Sequence, residues 1–518
     1  MMNSAGRFIR RRPLSFGVSS SIVGVGASGY YVENRIETKA AKLTNEKFLD
    51  DLTTTEESGL LLPRNYERDL INQYWNNRPV TALNRVTQIG SEVLPCLYAY
   101  ARDFYFFPKT EEGEVAQLQT DHAKALRAAL TRLGPAFIKF GQQLSIRPDI
   151  LPPLVLKELQ KLCDKVEPVE FETAMNTIRE ELGEDWNEKV EELELVASAS
   201  LGQVYKVQMK SGEVFAMKVQ RPDMARRVSL DVFLLNSYGA LADSLSTMFT
   251  EQVPYHADFI DCFAMGSYNE LDYEKEAKNQ NHFKDEFAKR ESEVHIPTVN
   301  EKMTSRRVIT MEWVEGVKLA DAEKEVLRKL IPVGVELFLT QLLDMGKFHA
   351  DPHPGNLYVT RDGTLCLLDF GLCADIDERA RSAMTKSIVH LLSGDFESLI
   401  AKDAIELGFL PHDYDTKELK PILTKILTQG LLEPGSNLHA RKRKLMSISN
   451  ELNEVFFRYP FSVPPFFALI TRGLGLLEGI ALSGDPDFDI FKASYPYARK
   501  RAAQMYGFNR WKTRENKL

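Results

Sequence analysis

Cysteine is scarce in this chain of 518 residues: there are five, Cys96, Cys163, Cys262, Cys366 and Cys373, scattered and never in a CxxC pair. An odd number without metal-ligand spacing supplies neither a disulfide framework nor a zinc site, so the thiols read as reduced and mostly buried. Net positive charge is lacking as well. The formal charge is -8, which gives no field to gather phosphates along a duplex, so nucleic acid is not an expected partner. The chain has no internal repeat and no low-complexity tract; its 44% hydrophobic and 27% charged residues are the balance of an ordinary folded protein.

Acidic residues are absent from the first 32 positions, which carry Arg7, Arg10, Arg11 and Arg12 and then a Ser-, Gly- and Val-rich stretch from Val18 to Val32. Arginine without acid is the composition of an organellar transit peptide. A secretory signal shares the arginine-then-apolar order but conflicts with the cysteine usage. The expected location is the mitochondrion, in association with its inner membrane, with the plastid as the alternative. The stretch is short of the roughly 20 residues that cross a bilayer. A second apolar run, Phe461 to Leu482, contains Arg472 and Glu478; each costs roughly 2.5 to 3.5 kcal/mol at a bilayer centre, so a buried core helix is expected instead.

What is present is a change of period along the chain. Residues 33–115 read as a helical extension. In the next region, 116–190, Leu126, Ala129, Leu130, Leu133 and Phe137 recur at helical spacing, which predicts one amphipathic helix over His122 to Leu162, interrupted by Pro148, Pro152 and Pro153. Alternation from Leu195 to Val219 around the turn Lys210-Ser211-Gly212 predicts a hairpin. A long helical region follows to Ala288, then a strand-like run at Arg307 to Trp313, helix from Glu323, and short strands at Leu357 to Val359 and Leu365 to Leu368. A strand-rich lobe at 191–315, carrying a helical insertion, and a helical lobe at 316–518 together predict a two-lobed α+β enzyme.

The strongest chemical signal is His349-Ala350-Asp351-Pro352-His353-Pro354-Gly355-Asn356, followed after a short strand by Asp369-Phe370-Gly371. This is the spacing of a kinase catalytic loop and DFG motif: Asp351 orients or deprotonates a hydroxyl, while Asn356 and Asp369 hold Mg2+ against the phosphates. Upstream, Phe215-Ala216-Met217-Lys218 ends a strand in the manner of VAIK, making Lys218 the phosphate-binding lysine. Ala197-Ser198-Ala199-Ser200-Leu201-Gly202-Gln203-Val204 has the spacing of a GxGxxGxV loop, with alanine at the first two glycine positions. The added Cβ atoms stiffen that loop, so phosphates should be held differently than by an all-glycine loop. A carboxylate partner for Lys218 is offered by Glu270, Asp272, Glu274 and Glu276, read as (i, i+4) pairs of one helix. Met311 to Gly316, with Glu312 and Val314, reads as an inter-lobe hinge whose backbone would bind adenine.

With Lys139-Phe140-Gly141-Gln142, these motifs resemble the UbiB family of atypical kinases, also called the ABC1 or ADCK family. The resemblance runs from about Ala125 to Asp375 and rests on a KxGQ motif at 139–142, the alanine-rich loop and an ExD motif at 270–272. It implies a protein-kinase-like fold with an N-terminal helical extension carrying KxGQ. It also implies that this helix folds over the nucleotide site and meets the ExD acids, so that Lys139 and Gln142 face Glu270 and Asp272, leaving Glu276 for Lys218. The implied cofactors are ATP and Mg2+. The implied function is that of an ATPase or small-molecule kinase serving ubiquinone, plastoquinone or lipid metabolism at an organelle membrane, with ATP/ADP, membrane lipids or quinone precursors and quinone-biosynthesis proteins as partners. A nucleotide-gated scaffold or lipid-extracting chaperone is the first alternative. A protein serine/threonine kinase is the second, and nothing after Gly371 reads as the APE motif it would need.

Overall fold

The computed structural model describes residues 62–106, 112–145, 151–162, 168–249, 256–350, 354–392, 395–431, 465–485, 488 and 490–506. The segment 1–32, Cys163 and Asp351 lie outside them. In chain order the main elements are α1 (Arg68–Asn76), α2 (Pro79–Ala101), α3 (Glu112–Leu133), α4 (Pro135–Leu144), α5 (Pro153–Leu159), α6 (Phe171–Leu182), β1 (Val190–Ser198), β2 (Gly202–Met209) and β3 (Val214–Gln220). Then come α7 (Met224–Phe249), α8 (His256–Glu270), α9 (Tyr273–Lys289), β4 (Val294–His295), β5 (Val308–Glu312), β6 (Gly316–Lys318) and α10 (Lys324–Thr340). The chain continues with β7 (Lys347–His349), β8 (Leu357–Thr360), β9 (Leu365–Leu367), β10 (Cys373–Asp375), α11 (Glu378–Leu392), α12 (Leu419–Leu431), α13 (Pro465–Gly484) and α14 (Ile490–Tyr506).

Among the described residues, three of the hydrophobic cores hold most of these elements. The first belongs to the amino-terminal helices: Ile71 and Trp75 of α1, Leu130 and Leu133 of α3, Phe137 of α4 and Leu159 of α5 pack with Val228, Val232 and Leu235 of α7 and Phe263 of α8. The helical insertion of the strand-rich lobe therefore shares its core with the extension. The single helix expected over His122 to Leu162 is broken. Gly134, at φ 100, ends α3, and Pro135 opens α4 at a position where its missing N–H costs nothing.

The second core lies under an antiparallel sheet of order β1-β2-β3-β5. Ala174, Met175 and Ile178 of α6 press onto Tyr205, Val207, Met217, Val219 and Val308, so α6 packs with the sheet lobe although it lies within 116–190. The predicted hairpin is β2 and β3, with Val204 opposite Lys218 and Gly212 turning at φ 90.

The third core fills the carboxy-terminal lobe, around Leu330, Phe338, Phe348, Phe370, Ile470 and Leu477. Here the sheet order is β4-β9-β8-β6, with β4 parallel to β9. The expected core helix is α13, which buries Ile470, Leu477, Ile480 and Ala481. Among the described residues no helix is long and apolar enough to cross a membrane. The described cysteines depart from expectation: Cys96, Cys262, Cys366 and Cys373 form no disulfide, but only Cys366 of these is buried and Cys262 is exposed.

Candidate active site

Lys218 stands in the middle of β3, flanked by Val204 of β2 and Ile309 of β5. Its Nζ donates to both carboxylate oxygens of Glu276 at 3.0 Å and to Oδ2 of Asp369 at 3.3 Å. Burial works against the ammonium, yet Asp369 and Glu276 hold it well above the ordinary lysine range. Burial pushes the Glu276 carboxyl up, only partly countered by Lys218. Burial would raise Asp369 too, but Lys218, the Gly371 amide and the charges of His349 and Lys139 outweigh it and keep that carboxyl below the usual range. Asp369 therefore stays ionised, and its side chain is 44% exposed.

The backbone around Asp369 is shaped to present it. Asp369 has φ 60, a left-handed conformation that few non-glycine residues adopt. It is held by the Gly371 amide donating to Oδ1 at 3.1 Å, by His349 Nε2 donating to the Asp369 carbonyl, and by Asn279 donating to the Phe370 carbonyl at 3.1 Å. Phe370 turns inward against Phe283 and His349, with ring centroids at 5.2 and 5.6 Å. Asn356 is drawn to the same place because its carbonyl accepts the Leu368 amide at 2.8 Å. Asp369 and Asn356 supply oxygen donors of the kind a hard divalent cation takes. Among the described residues no cluster of three or more His, Cys, Asp or Glu side chains could hold a metal by itself.

The acidic run Glu270 to Glu276 is not one helix, which corrects the (i, i+4) pairing. α8 ends at Glu270 and α9 begins at Tyr273, capped by Asp272, whose Oδ1 accepts the Lys275 amide at 3.3 Å. The break sends the acids to different partners. Glu270 pairs with Lys139 of α4 at 3.0 Å, Glu274 with Arg64 at 2.5 Å, and Glu276 with Lys218. Asp272 also pairs with Arg64, at 2.8 Å. Gln142 donates to the Leu162 carbonyl at 3.2 Å.

The alanine-rich loop closes through the Ala199 amide, which donates to the Gly202 carbonyl at 2.8 Å, and Ser200 is buried inside it. Arg221, which no motif announces, ties the loop down by donating to the Ala199 carbonyl at 2.9 Å and to Ser198 Oγ at 2.7 Å. Ala197 lies near the end of β1, and Val204 follows Gly202 into β2. A Cβ on Gly202 would stand 2.6 Å from Tyr273 Oη and 2.7 Å from the Val219 carbonyl. Since the second obstacle is backbone, Gly202→Ala should destabilise the protein by about 1 to 3 kcal/mol in chemical denaturation; an unchanged midpoint would contradict that packing. Tyr273 is a further site residue that motif reading missed: its ring lies 5.0 Å from Lys218 Nζ. At the hinge, the Glu312 carboxylate meets His295 Nε2 at 3.0 Å and the Thr298 amide at 3.1 Å, while Val314 lies in the linker between β5 and β6.

A strand lysine, a helix glutamate and a DFG aspartate joined across two lobes define the site of a kinase-like protein. The model of the ABC1 atypical kinase-like domain matches residues 161–402. The Arabidopsis thaliana protein ACTIVITY OF BC1 COMPLEX KINASE 3, chloroplastic, is 39% identical over 444 residues, 84% of this chain and 60% of that protein. An uncharacterized Synechocystis protein is 35% identical over 450 residues, 85% of this chain and 76% of that one. A solved structure, a Mycobacterium tuberculosis protein in complex with erythromycin, aligns at 21% identity and a TM-score of 0.44, covering 74% of this chain and 97% of that one. The chain belongs to the ABC1 atypical kinase-like family. It spans about three fifths of the length of the plant relative.

Proposed function

We propose that this protein is a magnesium-dependent ATPase or small-molecule kinase acting at a plastid membrane on prenylquinone or lipid metabolism. The observation that carries the reading is the meeting of Lys218, Glu276 and Asp369 within 3.0 to 3.3 Å. Lys218 would orient the phosphates, fixed by Glu276 so that its ammonium points into the cleft. Asp369 and Asn356 fit Mg2+, because a carboxylate that stays ionised beside a side-chain amide is the sparse oxygen set that ion takes while keeping waters and phosphates. When bound, Mg2+ would neutralise charge on the phosphate oxygens. Asp351 would orient the acceptor hydroxyl or a water.

The plastid is preferred to the mitochondrion because Arabidopsis relatives similar to this chain carry the word chloroplastic in their names. The membrane part is supported by α2, where Leu94, Leu97 and Tyr98, three and four residues apart on one face, are 64%, 57% and 69% exposed. Changing all three to serine should lower partition of the protein into anionic vesicles by at least about tenfold, given roughly 1.5 to 3 kcal/mol for each apolar side chain buried. Equal partition of the variant and the unmodified chain would count against this face. The central test is Mg2+-dependent ATP hydrolysis with and without vesicles and a phenolic quinone-precursor mimic. Turnover that rises with those additions supports the reading.

A second reading, a nucleotide-gated scaffold, is favoured by Ala197 and Ala199 in the phosphate loop and by the Lys139–Glu270 pair that ties the KxGQ helix to the end of α8. Asp351→Asn separates the two. A gated scaffold keeps nucleotide affinity and cellular function, whereas a phosphotransferase keeps affinity and loses function.

A further inference from the structure

Residues 62–67, ahead of α1, are bound to three helices through side chains that the proposed chemistry does not use. Arg64 donates from Nε to Asp272 Oδ2 at 2.8 Å, and from Nη2 to Asp272 Oδ1 at 3.1 Å and to Glu274 Oε2 at 2.5 Å. The Lys275 ammonium donates to Asn65 Oδ1 at 2.7 Å. Tyr66 bonds through its hydroxyl to Asp261 of α8 and accepts from Asn236 of α7 at 2.9 Å.

The forked contact falls on a residue with mechanical consequence. Asp272 is only 1% exposed, and a buried carboxylate of that kind requires a close, well-aligned cation. It also begins α9: its side chain caps the Lys275 amide, and its carbonyl accepts the Glu276 amide at 3.2 Å. The turn that Arg64 secures is thus the turn that aims Glu276 at Lys218. On the other side of the α8–α9 junction Lys139 holds Glu270. Two cations from separate amino-terminal segments grip one three-residue corner.

We propose that Arg64 is a positioning residue for the Lys218–Glu276 pair, and that residues 62–67 clamp the α8–α9 corner from which Glu276 is aimed. Arg64 acts through α9, by its contacts with Asp272 and Glu274. Its function lies in the fork, because a second cation, Arg306, is already within electrostatic reach of Asp272. The inference rests on the nucleotide reading of the site, and its test is built to fail separately from it.

Full-length Arg64→Ala, Arg64→Lys and Arg68→Ala proteins would be compared for hydrogen exchange in the first turn of α9 and for binding of a non-hydrolysable ATP analogue with Mg2+. Arg68 pairs with Asp261 at 3.1 Å, so it serves as the control from the same part of the chain. Arg64→Ala is expected to speed exchange at 273–277 and to weaken binding by about tenfold, with Arg64→Lys intermediate because it keeps the charge and loses the fork. Arg68→Ala should leave both readouts at the level of the unmodified chain. Unchanged α9 exchange in Arg64→Ala overturns the proposal, as does an equal effect of Arg68→Ala. If Arg64→Ala does not fold, Arg64→Lys decides alone: exchange identical to the unmodified chain refutes the role of the fork. An unmodified chain that binds no nucleotide refutes the nucleotide reading, while exchange in α9 still decides the clamp.

Discussion

Replacing Asp369 with asparagine is expected to abolish magnesium-dependent nucleotide binding. The substitution keeps the shape of the side chain and one oxygen but removes the negative charge that Lys218 and the Gly371 amide keep ionised. Loss of an outer partner of a metal ligand alone costs about 10- to 100-fold in metal affinity, so loss of the ligand charge should exceed about 100-fold. Calorimetric titration with ATP in the presence of Mg2+, and again in the presence of a chelator, reads the effect directly. Asp375→Asn is a suitable control, since Asp375 is an exposed residue paired with Lys347. Magnesium-dependent affinity that survives in Asp369→Asn would show that the cation is held elsewhere.

Phe370→Ala should produce the largest loss of stability of any single change near the site. Its side chain is fully buried, tilted against Phe283 of α9 and edge-on to His349 of β7. Truncating a core phenylalanine to alanine costs about 3 to 5 kcal/mol, because the surroundings collapse only partly into the cavity. Against the 5 to 15 kcal/mol that typically separates folded from unfolded states, that is enough to populate opened forms. Phe370→Leu should cost less than about 2 kcal/mol, being closer in volume. Urea denaturation of both variants checks the ordering; an alanine variant within about 1 kcal/mol of the unmodified chain would mean that Phe370 is not part of the core.

Much of the site can be read from sequence because its residues are local to recognisable turns. Lys218 lies within an alternating strand, Asp369 follows an apolar one, and the spacing between Asn356 and Asp369 leaves room only for the β8–β9 hairpin that the structure contains. What escaped reading depends on contacts distant in the chain. Arg64 is 208 residues from Asp272, and Arg221 meets the alanine-rich loop 22 residues back; neither arginine differs locally from a solvated one. The run Glu270 to Glu276 looks like continuous helix by charge spacing alone. What breaks it is Asp272 acting as a cap, its buried carboxylate held by Arg64 from a distant part of the chain. The break between α3 and α4 was missed for a different reason: Gly134-Pro135 is a local stop and start signal, but the apolar periodicity running through it was followed instead.

The position of α9 carries a consequence for how the protein moves. Its first turn is tied to the sheet lobe through Glu276 and Lys218, while Phe283 and Phe287 are embedded in the core of the other lobe. Just beyond it, β4 runs beside β9, the strand that leads to Asp369. A helix fixed in both lobes acts as a tie-bar, so the lysine and the aspartate cannot be displaced independently. Assembly of the site should therefore follow a single coordinate with two settings, and a titration that reports on it should show one transition, without a half-built plateau.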